Sequence, residues 1–318
     1  MNRLPFDLEV PVVQAGMGGG LSGHELAAAV SEAGGLGTIT GAGAASIARE
    51  LAAARARTDR PLAVNLLLPF ARRDWFDAAA QADVVVTFWG APRRRTPGVW
   101  VHQCGSAAEA RAARSAGADA VIVQGGEAGG HVRGTVPALE LLAQVRTELP
   151  TDYPVLVAGG IADRDDVQRA LDAGASAAVA GTRFLLSEES RAHPGYKQRL
   201  LGADATIVTE LFGAGWPAPH RVVPNAATRR WLGADARGPG LHRVLNRLLA
   251  PTARYVPTAI QERAARSQRP GSRLLGPLAA TADGPDTLLD AGPLYAGETV
   301  ARIHDVRPAG ELVRSLTP

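Results

Sequence analysis

From Val10 to about Leu185 the chain alternates between short apolar runs and longer segments whose apolar positions recur every three or four residues. The runs are rich in valine and bounded by glycine or proline, which marks buried strands. The longer segments between them mark helices packed on those strands. Strands are expected at 10–17, 36–39, 62–66, 84–88, 99–103, 118–124, 154–158 and 176–180. Helices are expected at 23–33, 44–57, 73–80, 107–116, 136–149 and 164–173, with Ser22, Ser106 and Asp163 placed to cap three of them.

Eight strands alternating with helices describe an α/β fold, the (β/α)8 TIM barrel. An open doubly wound sheet competes, but the strand count and the small residues after each strand favour the barrel. About ten residues join the fourth and fifth strands, the lower limit for a parallel crossover. The helix there is expected to be absent or reduced to a turn. Beyond Leu185 the periodicity weakens. Residues 206–231 are rich in glycine, proline and arginine, and 241–249 and 258–266 read as helices. Pro251, Pro257, Pro270, Pro277, Pro285 and Pro293 punctuate the rest. The expected organisation is a barrel over 1–190 and a helical, loop-rich segment over 191–318 capping the barrel mouth.

Composition narrows the function classes. Of 318 residues, 46% are apolar and 20% charged, which is globular. Lys197 is the only lysine, the net charge is +3, and no basic stripe is interleaved with aromatics, so nucleic-acid binding is not expected. Arg93-Arg94-Arg95 is read as a solvated loop. Cys104 is the single cysteine, so no intrachain disulfide forms. Cys104 is expected to be a small buried hydrophobe rather than a nucleophile. No apolar stretch suits a membrane span or a signal peptide, and a cytoplasmic location is expected.

The chemistry concentrates in Gln124-Gly-Gly-Glu-Ala-Gly-Gly-His131, at the end of the sixth strand. Four glycines let the main chain bend sharply or lie close to a flat ligand, and His131 can exchange a proton near neutral pH. Glu127 and His131 lack a third ligand at matching spacing, so a metal site is not expected. Asn65 is a polar residue inside an apolar strand, near its carboxyl end. Gly159-Gly160 and Gly181-Thr182 follow the seventh and eighth strands, where barrels commonly bind phosphate. With Ala15-Gly16-Met17 and Gln124 facing the same mouth, the pattern suits a phosphorylated planar cofactor. His102 is a less favoured candidate for the barrel interior.

On these residues the chain resembles the nitronate monooxygenase family, formerly the 2-nitropropane dioxygenases, which are FMN-dependent barrels. The likeness runs from Pro11 to Phe184 and continues more faintly through 190–194, 221–225 and 296–303. The resemblance implies His131 as general base, and FMN held by Asn65, Gln124, Gly129, Gly130, Gly159, Gly160, Gly181 and Thr182. Ala15-Gly16-Met17 would meet the flavin ring edge, although the family usually has proline before the methionine. It further implies oxidation of alkyl nitronates with O2 to a carbonyl compound and nitrite. The alternative is an FMN-dependent NAD(P)H reductase acting on an enoyl thioester or quinone. A non-catalytic flavin- or phosphate-binding barrel and a flavin-free phosphosugar enzyme are the remaining rivals. If His131 titrates normally, neutral-substrate activity rises around pH 6.5, roughly the ordinary histidine pKa.

Overall fold

The computed structural model describes residues 4–253, 255–256 and 258–318; residues 1–3, Arg254 and Pro257 lie outside them. Eight parallel strands form the barrel: β1 (Val12–Gln14), β2 (Gly37–Thr40), β3 (Leu62–Leu67), β4 (Val84–Phe88), β5 (Val99–Cys104), β6 (Ala120–Gln124), β8 (Val155–Ala158) and β9 (Ala177–Ala180). A two-residue strand, β7 (Gly130–His131), stands apart from them. A parallel bridge between Val13 and Leu36 closes the ring: Gln14 N donates to Leu36 O at 2.9 Å and Leu36 N to Val12 O at 3.0 Å. The expected barrel is therefore present.

Strand alternation divides the core in two. Val13, Ala63, Val86, Val101, Ile122, Leu156 and Val179 point inward and fill the barrel, with Leu4, Phe6 and Leu8 packed against them. Val121, Val123, Val155 and Val157 point outward under the helices. Those helices are α1 (His24–Glu32), α2 (Ala44–Arg55), α3 (Arg73–Ala79), α4 (Ala107–Ser115), α5 (Ala138–Glu148) and α6 (Arg164–Asp172). Ser106 and Asp163 cap α4 and α6 as expected, Asp163 in a capping box with Asp166. Ser22 does not cap α1. Its hydroxyl accepts from Met17 N at 3.1 Å and donates to Thr38 O at 3.0 Å, tying the exit of β1 to β2. No helix joins β4 to β5, in line with the short connection.

The tail departs from expectation in two respects. It contains strands β10 (Ile207–Thr209), β11 (His220–Val223) and β12 (Leu294–Tyr295), and β7 joins them through β11 in one antiparallel sheet. Its helices are α7 (Thr182–Leu185), α8 (Pro194–Leu201), α9 (Ala226–Trp231), α10 (Gly240–Ala253), α11 (Thr258–Ser267), α12 (Thr287–Ala291) and α13 (Ala309–Leu316). Pro251 lies within α10 rather than ending it. The second departure is α13, which is not over the mouth. Its Ala309, Leu312, Val313 and Leu316 pack with Leu26, Val30, Val167 and Ala170 of α1 and α6. Because α7 is a single turn after β9, α13 covers the flank where an eighth barrel helix belongs. Among the described residues no helix is long and apolar enough to cross a membrane.

Arg191 fastens the start of the tail to the barrel. Its Nη2 lies 2.7 Å from Glu25, 2.9 Å from Glu50 and 2.9 Å from His24 Nδ1, so this cluster of potential metal ligands is filled by a guanidinium. Burial would raise the Glu50 pKa, but hydrogen bonds from Arg191 and His24 outweigh it and hold the carboxyl at about 2 instead of 4.5. The unfolded chain therefore takes up this proton first as the pH falls. Glu50→Gln should cost roughly 1–3 kcal/mol at neutral pH, the range for a hydrogen bond to a charged group. Urea unfolding of both proteins should show that gap constant above about pH 4.5 and shrinking as the pH falls toward 2. A gap independent of pH would contradict the assignment.

Candidate active site

The loop leaving β6 is held shut by the residue that begins it. Gln124 Nε2 donates to His131 O at 3.0 Å, and its Oε1 accepts from Arg133 N at 2.9 Å. The second N–H and the second lone pair of Oε1 are left for a ligand. Glu127 reaches out of the loop, accepting from Ala138 N at 2.9 Å at the start of α5, where the helix dipole favours a carboxylate. Gly159 (φ +119°) and Gly160 (φ +75°) lie against this acid, and a Cβ on Gly159 would sit 3.2 Å from Glu127 Cδ. Left-handed backbone and the packed carboxylate both require glycine there.

A strap from the tail locks the loop from the other side. Gly297 N donates to Thr182 Oγ1 at 2.9 Å and Glu298 N to Glu127 O at 3.0 Å. Arg221 on β11 donates to Gly126 O at 2.7 Å and pairs with Glu298 at 2.8 Å. Gly129 is pressed onto the strap so closely that a Cβ would lie 2.5 Å from Gly297 N. Thr182 is therefore a strut between α7 and the strap.

His131 lies opposite His220 in the register of β7 and β11. Trp216 stacks on its ring at 3.7 Å and 21°, and the rings of His220, Tyr295 and Trp89 lie 5.4, 5.5 and 6.3 Å away. Burial, and then the neighbouring His220, push the His131 pKa well below 6.5, so the imidazole is neutral at physiological pH. His131 Nε2 and Trp216 Nε1 are buried without a hydrogen-bond partner. His220 is committed on both sides, Nδ1 donating to Ala218 O at 2.9 Å and Nε2 accepting from Phe212 N at 3.3 Å. Trp89 adopts a left-handed backbone (φ +66°), and the Arg133 guanidinium sits 5.2 Å over its ring. Strained backbone of this kind gathers at functional sites.

On the barrel side, the Gly16 α-carbon is packed onto Asn65, so that a Cβ would lie 2.5 Å from that side chain. Asn65 Oδ1 is buried and unpartnered. A Cβ on Gly181 would meet only Ala15, at 3.7 Å. Met17 is fixed through its backbone by Ser22 and by Thr40, whose hydroxyl donates to Met17 O at 2.8 Å. Ala15, Gly16, Asn65 and Gly181 thus form one side of the mouth. Gln124, Gly129, Gly130, His131, Gly159, Gly160 and Thr182 form the other, around Glu127 and the strap. An open backbone shelf with an unsatisfied amide oxygen fits a planar, hydrogen-bonding, phosphorylated group.

His102 does not reach the interior. It shares the outward face of β5 with Trp100 and Cys104, bonds Thr87 Oγ1 at 2.7 Å, and burial lowers its pKa to about 4. Cys104 is buried and its thiol pKa is pushed up, leaving no thiolate. Trp89, Trp216, His220, Arg221, Tyr295 and Gly297 were not singled out by sequence pattern. The available signal was weak: of five tryptophans, Trp89 directly follows a strand end and Trp216 follows Gly213-Ala214-Gly215.

The model of the nitronate monooxygenase family matches residues 5–87 and 77–318. The chain is 36% identical over 252 residues to (3aS,4S,5R,7aS)-5-hydroxy-7a-methyl-1-oxo-octahydro-1H-indene-4-carboxyl-CoA dehydrogenase of Mycobacterium tuberculosis, covering 73% of this chain and 68% of that protein. It is 34% identical over 284 residues to a nitronate monooxygenase of Pseudomonas aeruginosa, covering 69% and 80%. The crystal structure of nitroalkane oxidase from Streptomyces ansochromogenes superposes with a TM-score of 0.74 at 30% identity, covering 97% of this chain and 95% of that one.

Gly129→Ala should pry the loop from the strap, because backbone meets backbone 2.5 Å from the new carbon and neither can rotate away. Overpacking of this kind costs about 1–3 kcal/mol. A thermal melt should fall by several degrees, with loss of any bound cofactor at a lower temperature than in the parent. An unchanged melt would show that the strap yields freely.

Proposed function

Because the chain belongs to the nitronate monooxygenase family and is an oxidoreductase, we propose that it binds FMN at the barrel mouth and oxidises alkyl nitronates with O2 to a carbonyl compound and nitrite. The observation that carries this proposal is a neutral His131 whose Nε2 is buried, unpartnered and walled by aromatic rings. Asn65, Gln124 and the backbone at Ala15-Gly16-Met17 would meet the ring, with Gly129 and Gly130 beneath it. Gly159, Gly160, Gly181 and Thr182 would hold the phosphate. A single phosphate cradle, after β8 and β9, favours FMN over FAD. When bound, the flavin supplies the electron acceptor.

The chain itself supplies a base and a dry pocket. His131 Nε2 takes the α-proton from a neutral nitroalkane, and the imidazolium so formed stabilises the resulting anion. Trp89, Trp216 and Tyr295 keep water from the imidazole, which holds it neutral and ready to accept. The dehydrogenase relative supports a second reading, an NAD(P)H-dependent reductase of an enoyl thioester or quinone. Anaerobic mixing with a nitronate, NADH or NADPH distinguishes them by which compound bleaches the flavin.

Denaturation and chromatography of the purified protein should release FMN; FAD, or no flavin after reconstitution, would exclude the cofactor assignment. His131→Asn should slow turnover of a neutral nitroalkane by about 10²–10⁴-fold, the worth of a general base, and affect a preformed nitronate much less. Equal losses in a variant that retains FMN would make His131 a positioning group. The pH profile sharpens this test. A base works deprotonated, and burial lowers its pKa, so neutral-substrate turnover should stay level through pH 6.5 and decline only at more acid pH. A midpoint at or above 6.5 would contradict the buried, neutral imidazole.

A further inference from the structure

The segment from Trp89 to Gly98, which replaces a helix, leaves a cavity of about 320 Å³ beside α3. Leu68, Phe76 and Trp89 form its apolar wall, and Arg93 and Arg95 are its charged residues. No carboxylate lines it. Arg94, between the two, is turned away to Asp119 at 2.7 Å and Gly117 O at 3.0 Å. Arg95 rests over the Phe76 ring at 5.4 Å, and neither Arg93 nor Arg95 meets a carboxylate among the described residues. On neighbouring α3, Asp74 already faces Arg72, at 3.7 Å. Trp89 belongs both to this wall and to the ring of aromatics around His131.

Two guanidiniums without a carboxylate partner, on alternate residues above an apolar wall whose Trp89 also borders the His131 ring, match an elongated ligand with phosphates at one end. Guanidinium forks recognise phosphate oxygens in bidentate fashion. We propose that this cavity binds the diphosphate-bearing part of a substrate or co-substrate whose reacting end lies past Trp89 at His131. The proposal rests on His131 being the reacting centre. A coenzyme A thioester and a nicotinamide dinucleotide share that diphosphate chemistry.

The test is calorimetric titration of the holoprotein with coenzyme A, NADH and NADPH in turn, with inorganic phosphate as reference. At least one of the three should bind more tightly than phosphate. The Arg93→Glu/Arg95→Glu double variant should bind that ligand about 10- to 100-fold more weakly, the loss expected for one or two charge-assisted hydrogen bonds. Arg57→Glu, an exposed change before β3 at the other end of the barrel, should lose less than about 3-fold. FMN content and turnover of a small nitronate should be unchanged in both variants. Binding of coenzyme A alone identifies a thioester site, and binding of a dinucleotide alone identifies a hydride-donor site. The proposal is overturned if none of the three outbinds phosphate, if the double variant keeps its affinity, or if Arg57→Glu loses as much. Absent nitronate turnover in the parent protein would count against the proposed reaction, while the calorimetry still reads the cavity independently.

Discussion

Two backbone pairings, His131 with His220 and Gly130 with Arg221, join parts of the chain about ninety residues apart and make the site possible. Without them the glycine-rich loop would be an open excursion from β6, with His131 free to turn to water. The pairing presents His131 to the tail segment that carries Trp216. His220 then anchors that segment through Phe212 N and Ala218 O. Glu127, Gly129 and Thr182 meet the Ala296-Gly297-Glu298 strap only because the same sheet brings β12 alongside. The tail is therefore half of the site as well as its cover.

The same enclosure sets the electrostatics. Charge is kept out of the immediate surround of His131 while guanidiniums are spent on its frame: Arg221 on Gly126 and Glu298, Arg133 on Glu109 and the Trp89 face. An imidazole walled by tryptophan, tyrosine and a second neutral histidine is easier to keep neutral than charged. Leaving Asn65 Oδ1, His131 Nε2 and Trp216 Nε1 buried and unpartnered costs about 1–3 kcal/mol each. Such a cost is tolerable where a ligand restores the bonds and a closed barrel core supplies the stability.

The missing helix after β4 has consequences on both faces of the barrel. On the flank it would leave β5 bare, and Trp100 seals that gap, its Nε1 bonded to Thr87 at 2.7 Å and Arg94 lying 5.8 Å over its ring. This is why His102 and Thr87 belong to packing and not to chemistry. At the mouth the short connection leaves open the space beside Trp89 that a conventional helix start would crowd.

The barrel, its short β4–β5 connection, the caps at Ser106 and Asp163, and the placing of His131, Asn65 and the glycine pairs at strand ends were readable from the sequence. Each depends on contacts within a few residues or on a repeating period, which a linear pattern records. The family resemblance was likewise carried by a contiguous motif. The tail sheet, the Arg191 cluster, the role of α13 as the eighth flank helix and the aromatic wall of His131 were decided by tertiary structure alone. Strands of two to four residues carry too little alternation to announce themselves, and their partners lie about ten to ninety residues away. The glycines of the loop looked like ligand-facing turns, yet Gly129 and Gly159 are glycine because the strap and Glu127 press against them. The depressed His131 pKa has the same origin: it is a property of the rings folded around the residue, which its sequence neighbours do not specify.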